Sequence, residues 1–359
     1  MTIWLKPKYS KSAVNHAGDV LIRKNKTIDE LFEESEALEI LDNWRSIHSY
    51  PMHVFKIRLK RKAMIVDKNA LTVQRLKRVP AITKKLQREY NGRPATMTLS
   101  QMQDIGGCRA ILSNVTLARR LCDFYYMKGD LKHKRVKVND YITNPKNDGY
   151  RSIHLIYKYL SNKQGKKDYN GLLIEVQIRS KLQHLWATAI ETVDLYTRQA
   201  IKSSEGEEEW MEFFRLVSSA FAQIENCPRV PKTPINEKEL YLEIKRRQAE
   251  LKVISVMTGW MKAIKILEER VKQTPKLQYF LLELDIVGSK LSISSYTKDQ
   301  EEQAIKDYAT SEKKISGKRE YDVVLVGADK SADLRKAYPN YFVDGTEFLI
   351  NLQKIISKY

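Results

Sequence analysis

Cysteine is scarce in this chain, with only Cys108, Cys122 and Cys227 among 359 residues. Their separations suit neither a disulfide framework nor the short paired spacing of a zinc site. No run of about 18 apolar residues occurs, which excludes a helical membrane span. The opening MTIWLKPKYSKS lacks the apolar stretch of a secretory signal, so a cytoplasmic protein is expected. Internal repeats and low-complexity tracts are missing as well. What is present, 42% hydrophobic and 30% charged residues, describes a globular chain long enough for two or three domains.

Acidic residues are outnumbered, and the imbalance is concentrated. The net charge is +19, and between Lys56 and Arg93 thirteen Lys or Arg face only Asp67 and Glu89. A second cluster runs through Lys132, His133, Lys134, Arg135 and Lys137, and a third is Lys245–Arg247. Solubilising surfaces usually mix signs, so unmixed positive charge points to polyphosphate or nucleic acid.

Along the chain an extended basic start precedes an acidic amphipathic helix near Asp29–Trp44, and helical periodicity continues to about Tyr90, with Pro80 at a kink or helix start. From Gly107 short β-rich runs follow (CRAILS, RVKVNDYI, RSIHLIYKYL, LLIEVQIR), separated by turn-rich segments. Helix returns over Ser180–Arg198 and Glu207–Glu225. CPRVPKTP reads as a linker, followed by a long basic helix to Lys272 and then a strand–strand–helix–strand pattern. The expected organisation is a domain over residues 1–225, a connector over 226–275 and a small α+β module over 276–359. The fold class is α+β, a mixed β-sheet flanked by helices.

Four segments carry chemistry. In LLIEVQIRS, Leu173, Glu175, Gln177 and Arg179 share one strand face. Such a polar face is costly unless it is wet or occupied, and a solvent-facing strand would alternate in the same way. In DIGGCRAI, Asp104 stands at a turn ahead of a strand carrying Arg109, and the two glycines permit close backbone approach. Two carboxylates from neighbouring strands can hold magnesium, although D-x-x-G also describes a simple turn. VQRLKRVPAITKKL reads as a basic helix in which Arg75 and Arg78 share a face, as do Lys77 and Lys84 or, with a kink, Lys77 and Lys85, a row suited to a triphosphate or to solvent. In NPKNDGYRSIH, Lys146 lies in a loop, while Tyr150 opens a strand with Ser152 and His154 on its face. An aromatic in such a basic loop can stack on a base.

Together these segments resemble, over roughly residues 50–225, the synthetase domain of the RelA/SpoT family, which makes guanosine tetra- and pentaphosphate. The likeness rests on R-x-K-x-x-x-S-I-x-x-K-L, D-I-x-G-x-R, Y-I-x-x-P-K-x-x-G-Y-x-S-x-H and E-x-Q-I-R, in the family's order, with Ala81 replacing the serine of the first. The resemblance implies a nucleotidyltransferase-like fold. It implies that Arg75, Lys77, Lys85 and Arg109 hold ATP phosphates, and that Asp104 and Glu175 bind Mg2+, with Glu175 alternatively the base. Tyr150 would then stack on the acceptor base, with Lys146, His154, Gln177 and Arg179 on the acceptor side. Family members usually have W-A-x-x-E-H after the last strand, whereas WATAIET stands here. No histidine is followed by aspartate, so the family's hydrolase half is not evident.

Beyond the linker the chain resembles the CapRel fused toxin–antitoxins of the toxic small-synthetase branch, on the Tyr-x-x-Tyr of AYPNYF, Tyr338 and Tyr341. That resemblance implies an acceptor at the 3′-terminal adenosine of tRNA, autoinhibition by Tyr338 and Tyr341, and release by a phage protein. The basic clusters would suit a tRNA backbone. An ordinary synthetase acting on GDP or GTP, and a non-catalytic RNA- or partner-binding protein on the same scaffold, are the alternatives.

Overall fold

A computed structural model describes residues 4–23, 27–77, 79–90, 93–94, 96–124, 131–197, 204–255, 257–258, 273–274, 276–285, 290–315, 321–327 and 344–359. Two compact units emerge: Met1–Ile142 with Ser152–Lys181, and Thr143–Arg151 with Leu182–Tyr359. They do not follow the linear division expected at residues 225 and 275.

The first unit opens with α1 (Lys11–Leu21), α2 (Ile28–Ile47) and α3 (Ser49–Val66). Strand β1 (Leu71–Leu76), helix α4 (Val79–Leu86) and the two-residue strands β2 (Glu89–Tyr90) and β3 (Arg93–Pro94) come next. Then follow β4 (Gly106–Leu112), α5 (Val115–Cys122), β5 (Lys134–Asp140), β6 (Ile153–Lys158) and β7 (Leu173–Ser180). Five strands form one mixed sheet in the order β1-β4-β7-β6-β5, with β4 and β7 parallel and the other pairs antiparallel. One face is covered by α3, where the Cys108 thiol donates to the Met52 carbonyl at 3.2 Å. On that side Gly106 lies so close to His48 that a Cβ would sit 3.1 Å from the histidine Cβ.

The start of the basic segment corrects the helical reading. Leu71–Leu76 is an edge strand paired with β4, and helix begins only at Val79. Asp67 makes the break: one carboxylate oxygen accepts from the Asn69 amide at 2.9 Å and the other from the Ser113 amide at 2.7 Å. Charge spacing of three suggested a helix, but the β4 edge offers LTVQRL a full ladder of hydrogen bonds, and tertiary pairing outweighs local propensity. Pro80 stands at the second position of α4, where a missing amide costs nothing. Arg78 lies outside the described residues.

The second unit holds α6 (Lys181–Thr197, from Leu182 onward), α7 (Ser204–Ile224), α8 (Glu237–Leu251), β8 (Leu277–Asp285), β9 (Lys290–Thr297), α9 (Glu301–Ile315), β10 (Tyr321–Gly327) and α10 (Asp344–Ile356). The three strands make an antiparallel sheet ordered β10-β8-β9, matching the expected strand–strand–helix–strand run. Its terminal helix does not stay with that sheet: Phe348, Leu352 and Ile355 are buried in one cluster with Phe213, Val217, Leu240 and Ile244. The proline-rich segment is tied down rather than loose. The Val230 amide donates to Ser219 Oγ at 3.0 Å, and Arg229 donates to the Thr233 and Pro234 carbonyls. The expected long helix is interrupted at Lys252, which takes the left-handed conformation after Leu251; helix resumes at Val253, and residues 259–272 lie outside the described residues. Tyr338 and Tyr341, expected to be autoinhibitory, lie outside the described residues.

Candidate active site

Strand register sets the residues of one sheet face. Directly opposed residues share a face, so Arg75, Gly107 and Glu175 form one row across β1, β4 and β7. The next row is Val73, Arg109, Gln177, His154 and Asn139 across all five strands. This face is opposite the one packed on α3.

Asp104 sits in the turn before β4, between two lysines. Lys77 Nζ donates to Oδ2 at 2.8 Å and Lys85 Nζ to Oδ1 at 2.8 Å. Lys77 follows β1 directly, and its amide is fixed to the Ile105 carbonyl at 2.8 Å, which pins the strand end against the turn. Lys85 arrives from α4. Burial raises the Asp104 pKa, but the two ammonium groups outweigh it and hold the carboxyl below its ordinary value.

Glu175 is buffered differently. His154 Nδ1 lies 2.8 Å from one carboxylate oxygen, and Gln177 Nε2 donates to the other at 2.7 Å. Arg109 Nε in turn donates to Gln177 Oε1 at 2.8 Å, orienting the amide so that its NH2 faces the glutamate. Burial pushes the Glu175 pKa up, His154 and Gln177 pull it down, and the carboxyl ends below its usual range. Asp104 acts on it in the raising sense, so the two carboxylates feel one another. Gly107 lies beside Glu175, where a Cβ would make only ordinary contact, 3.6 Å from the Glu175 carbonyl oxygen and 4.0 Å from Oε2.

The structure therefore brings Lys77, Lys85 and Asp104 into one group and Arg109, Gln177, Glu175 and His154 into another, with Arg75 exposed on the same face. Arg179 is only 1% exposed and packs inside, not on open surface. Tyr150 and Lys146 belong to the second unit, where Lys146 Nζ stands 5.0 Å from the Tyr150 ring centroid and Trp186 meets that ring edge-on. Tyr141 was not among the expected site residues. Its ring stands edge-on to His154 at 5.3 Å, and burial with the Glu175 charge raises its pKa. Its place in Y-I-x-x-P-K, at the end of a strand, was the available signal.

Magnesium fits this donor set. It takes hard oxygen ligands, commonly one or two carboxylates, and completes its shell with water and substrate phosphates. Among the described residues no group of three or more His, Cys, Asp or Glu is placed to hold a metal.

Comparison with known proteins finds likenesses over the region that carries this face. Residues 74–200 match the family model described as "Region found in RelA / SpoT proteins", a span that includes all the residues of both groups. Over 117 residues the chain is 32% identical to the GTP pyrophosphokinase YwaC of Bacillus subtilis (strain 168), covering 33% of this chain and 54% of that protein. Over 91 residues it is 34% identical to the GTP pyrophosphokinase YjbM of the same organism, covering 25% and 41%. The chain thus spans about half the length of the curated relatives it matches. Among solved structures, small alarmone synthetase 1 from Bacillus subtilis bound to pppGpp aligns at 23% identity and a TM-score of 0.41, covering 49% of this chain and 88% of that one. Small alarmone synthetase 2 aligns at 20% and 0.42, covering 52% and 94%. Over residues 74–200 the chain is thus similar to the RelA/SpoT region, and in part to two GTP pyrophosphokinases.

Proposed function

We propose that the chain transfers a pyrophosphoryl group from ATP to a ribose 3′-hydroxyl, with Mg2+ bound by Asp104 assisting and Glu175 serving as the base rather than as a second ligand. The observation that carries this reading is the lysine-bracketed Asp104 beside the buffered Glu175 on one open sheet face. The ion would supply Lewis-acid neutralisation of phosphate charge. Lys77 and Lys85 leave Asp104 to bind phosphate oxygens, and Arg75 and Arg109 add charge along the same face. The hydroxyl oxygen bonds to the β-phosphorus of ATP, the bond from that phosphorus to the α,β-bridging oxygen breaks, and AMP leaves. Glu175, held by His154 and Gln177, takes the hydroxyl proton. Tyr150 is the proposed stacking residue for the acceptor base, on the family resemblance.

For the acceptor we infer the 3′-terminal adenosine of tRNA, which would block translation. The net charge of +19 supports it, as does the exposure of Lys134, Arg135 and Lys137 on edge strand β5. The cluster at Lys245–Arg247 is no longer part of that support. Arg246 pairs with Glu243 and Glu250, Arg247 pairs with Glu212 and Glu243, and Lys245 donates to the Tyr359 carbonyl. GDP or GTP is the second reading, favoured by the names of the two relatives. Autoinhibition through Tyr338 and Tyr341, with a phage protein as trigger, rests on sequence resemblance alone.

The test is a transfer assay with γ-labelled ATP, Mg2+ and either tRNA, GDP or GTP, using the full chain and its Tyr338→Ala variant. Label on tRNA that disappears in Glu175→Gln supports the first acceptor, and label on guanine nucleotide alone replaces it with the second. No transfer to any acceptor by either protein sinks the enzymatic reading and leaves the binding-protein alternative. Autoinhibition is rejected if Tyr338→Ala is no faster than the parent.

A further inference from the structure

The corner between α2 and α3 lies ahead of the matched residues 74–200, yet it touches the Asp104 turn twice. Arg45, in the last turn of α2, donates from Nε to the Lys77 carbonyl at 2.9 Å. Three residues on, His48 is buried, and its Nδ1 donates to the Trp44 carbonyl at 2.7 Å, which secures the end of the helix. His48 also packs against Gly106, where a Cβ would come within 3.1 Å of its own. One corner thus meets the residue that follows β1 and the residue that opens β4, and Asp104 stands two positions before the second.

Each polar group of Lys77 is engaged. Its amide donates to the Ile105 carbonyl at 2.8 Å, its carbonyl accepts from Arg45, and its ammonium meets Asp104 at 2.8 Å. In the proposed transfer that ammonium leaves Asp104 for a phosphate oxygen, so the side chain has to swing over its own backbone. A fixed backbone makes the swing productive, because a loose one would have to be ordered each time a substrate binds. The Lys77 carbonyl lies past the last β1–β4 pair, Leu76 with Gly106, and there Arg45 makes the tie. A basic residue in a last turn can serve the helix dipole alone. Arg45 instead turns Nε to a carbonyl in another element, a charge-assisted bond stronger than a neutral one. The other end of its guanidinium pairs with Asp42, whose side chain is 68% exposed, so that pair contributes little. Lys85 reaches Asp104 from α4, so loss of the tie would loosen one of the two cations and not both.

We propose that Arg45 is a positioning residue for the phosphate donor: by fixing the Lys77 carbonyl it aims the Lys77 ammonium at the donor's phosphate oxygens. The inference rests on the transfer reading and brings into it a residue from the N-terminal helices.

The test compares Arg45→Ala, Arg45→Lys and Asp42→Asn in the full chain and in its Tyr338→Ala variant. Binding of α,β-methylene-ATP with Mg2+ is read by calorimetry, and amide hydrogen exchange is read in the peptide carrying Lys77. Arg45→Ala is expected to bind the analogue several-fold more weakly and to exchange that peptide faster. Arg45→Lys, which can still donate to the carbonyl, is expected to recover most of both, and Asp42→Asn to leave both unchanged. In the transfer assay KM for ATP should rise in Arg45→Ala while KM for the acceptor stays. Parental affinity in Arg45→Ala overturns the proposal, as does a lack of recovery in Arg45→Lys. Faster exchange spread over all of α1–α3 overturns it too, because the arginine would then only stabilise the helices. If the parent binds the analogue and transfers label, and Arg45→Ala matches it, the role of Arg45 falls and the transfer reading stands. A parent that binds no analogue removes both.

Discussion

Glu175 shows how far neighbours can reverse the effect of burial on a single carboxylate. Its folded pKa lies below the ordinary 4.5, so its ionised form stabilises the fold. That contribution is complete above the ordinary value and is lost as pH falls through the lowered one. Asp104, held below its ordinary 3.8, behaves in the same way. Thermal melts taken from neutral to acid pH are expected to show a shallower acid decline for Glu175→Gln than for the parent chain. At neutral pH the same substitution is expected to reduce transfer by about 10²-fold or more, read as initial rate with unchanged circular dichroism. Cysteine behaviour is also set residue by residue. Burial raises the Cys108 thiol to about 12 and Cys122 to about 11, while Cys227 is partly exposed. A thiol reagent applied to the native protein should modify Cys227 first and leave the other two until unfolding.

At the scale of elements, the turn before β6 depends on one glycine. Gly149 has φ +96°, and a Cβ there would meet Trp186 at 2.9 Å and Ser218 Cβ at 3.0 Å. Gly149→Ala is therefore expected to destabilise by about 1–3 kcal/mol, measured by denaturant unfolding, from the strained backbone and the contact with α6 and α7. The central strands were legible because their patterns are local. LLIEVQIRS alternates by residue, and β7 places Glu175 and Gln177 on one face as that alternation required. Strand β1 was not legible, because its six residues are strand only through pairing with β4, some 35 residues on. Placement of Arg75 opposite Gly107 could not be read from a helical template, which puts it beside Arg78 instead.

At the scale of the whole molecule, the last helix closes a core built by segments more than a hundred residues earlier. Phe348 is fully buried against Phe214 and Phe221, with ring centroids 6.0 Å apart in each case. Phe348→Ala is expected to cost about 3–5 kcal/mol and lower the melting temperature. Truncation near Lys272, which looks like removal of a separable module in the sequence, should lower it as well by exposing Phe213 and Leu240. Charge acts at this scale too. If RNA is the acceptor, its binding should weaken steeply as salt rises, and binding unaffected by salt would rule out a role for the basic surface.

By itself the sequence determined which residues are the candidates for chemistry, because Asp104, Glu175, Gln177 and the lysines stand in motifs whose order and spacing are local properties of the chain. It also determined the net charge of +19 on which the proposed polyanionic partner rests, since net charge is a sum over residues and does not depend on the fold. Only the tertiary structure decided which cations face the carboxylates. Lys77 reaches Asp104 from a strand end and Lys85 reaches it from a helix, a convergence across 27 and 19 residues that no periodicity encodes. It likewise decided that Arg246 and Arg247 are spent on glutamates, and that Phe55 and Tyr159 pack on His133. Long-range side-chain contacts follow from strand order and helix packing, and these are settled only when the chain buries its core.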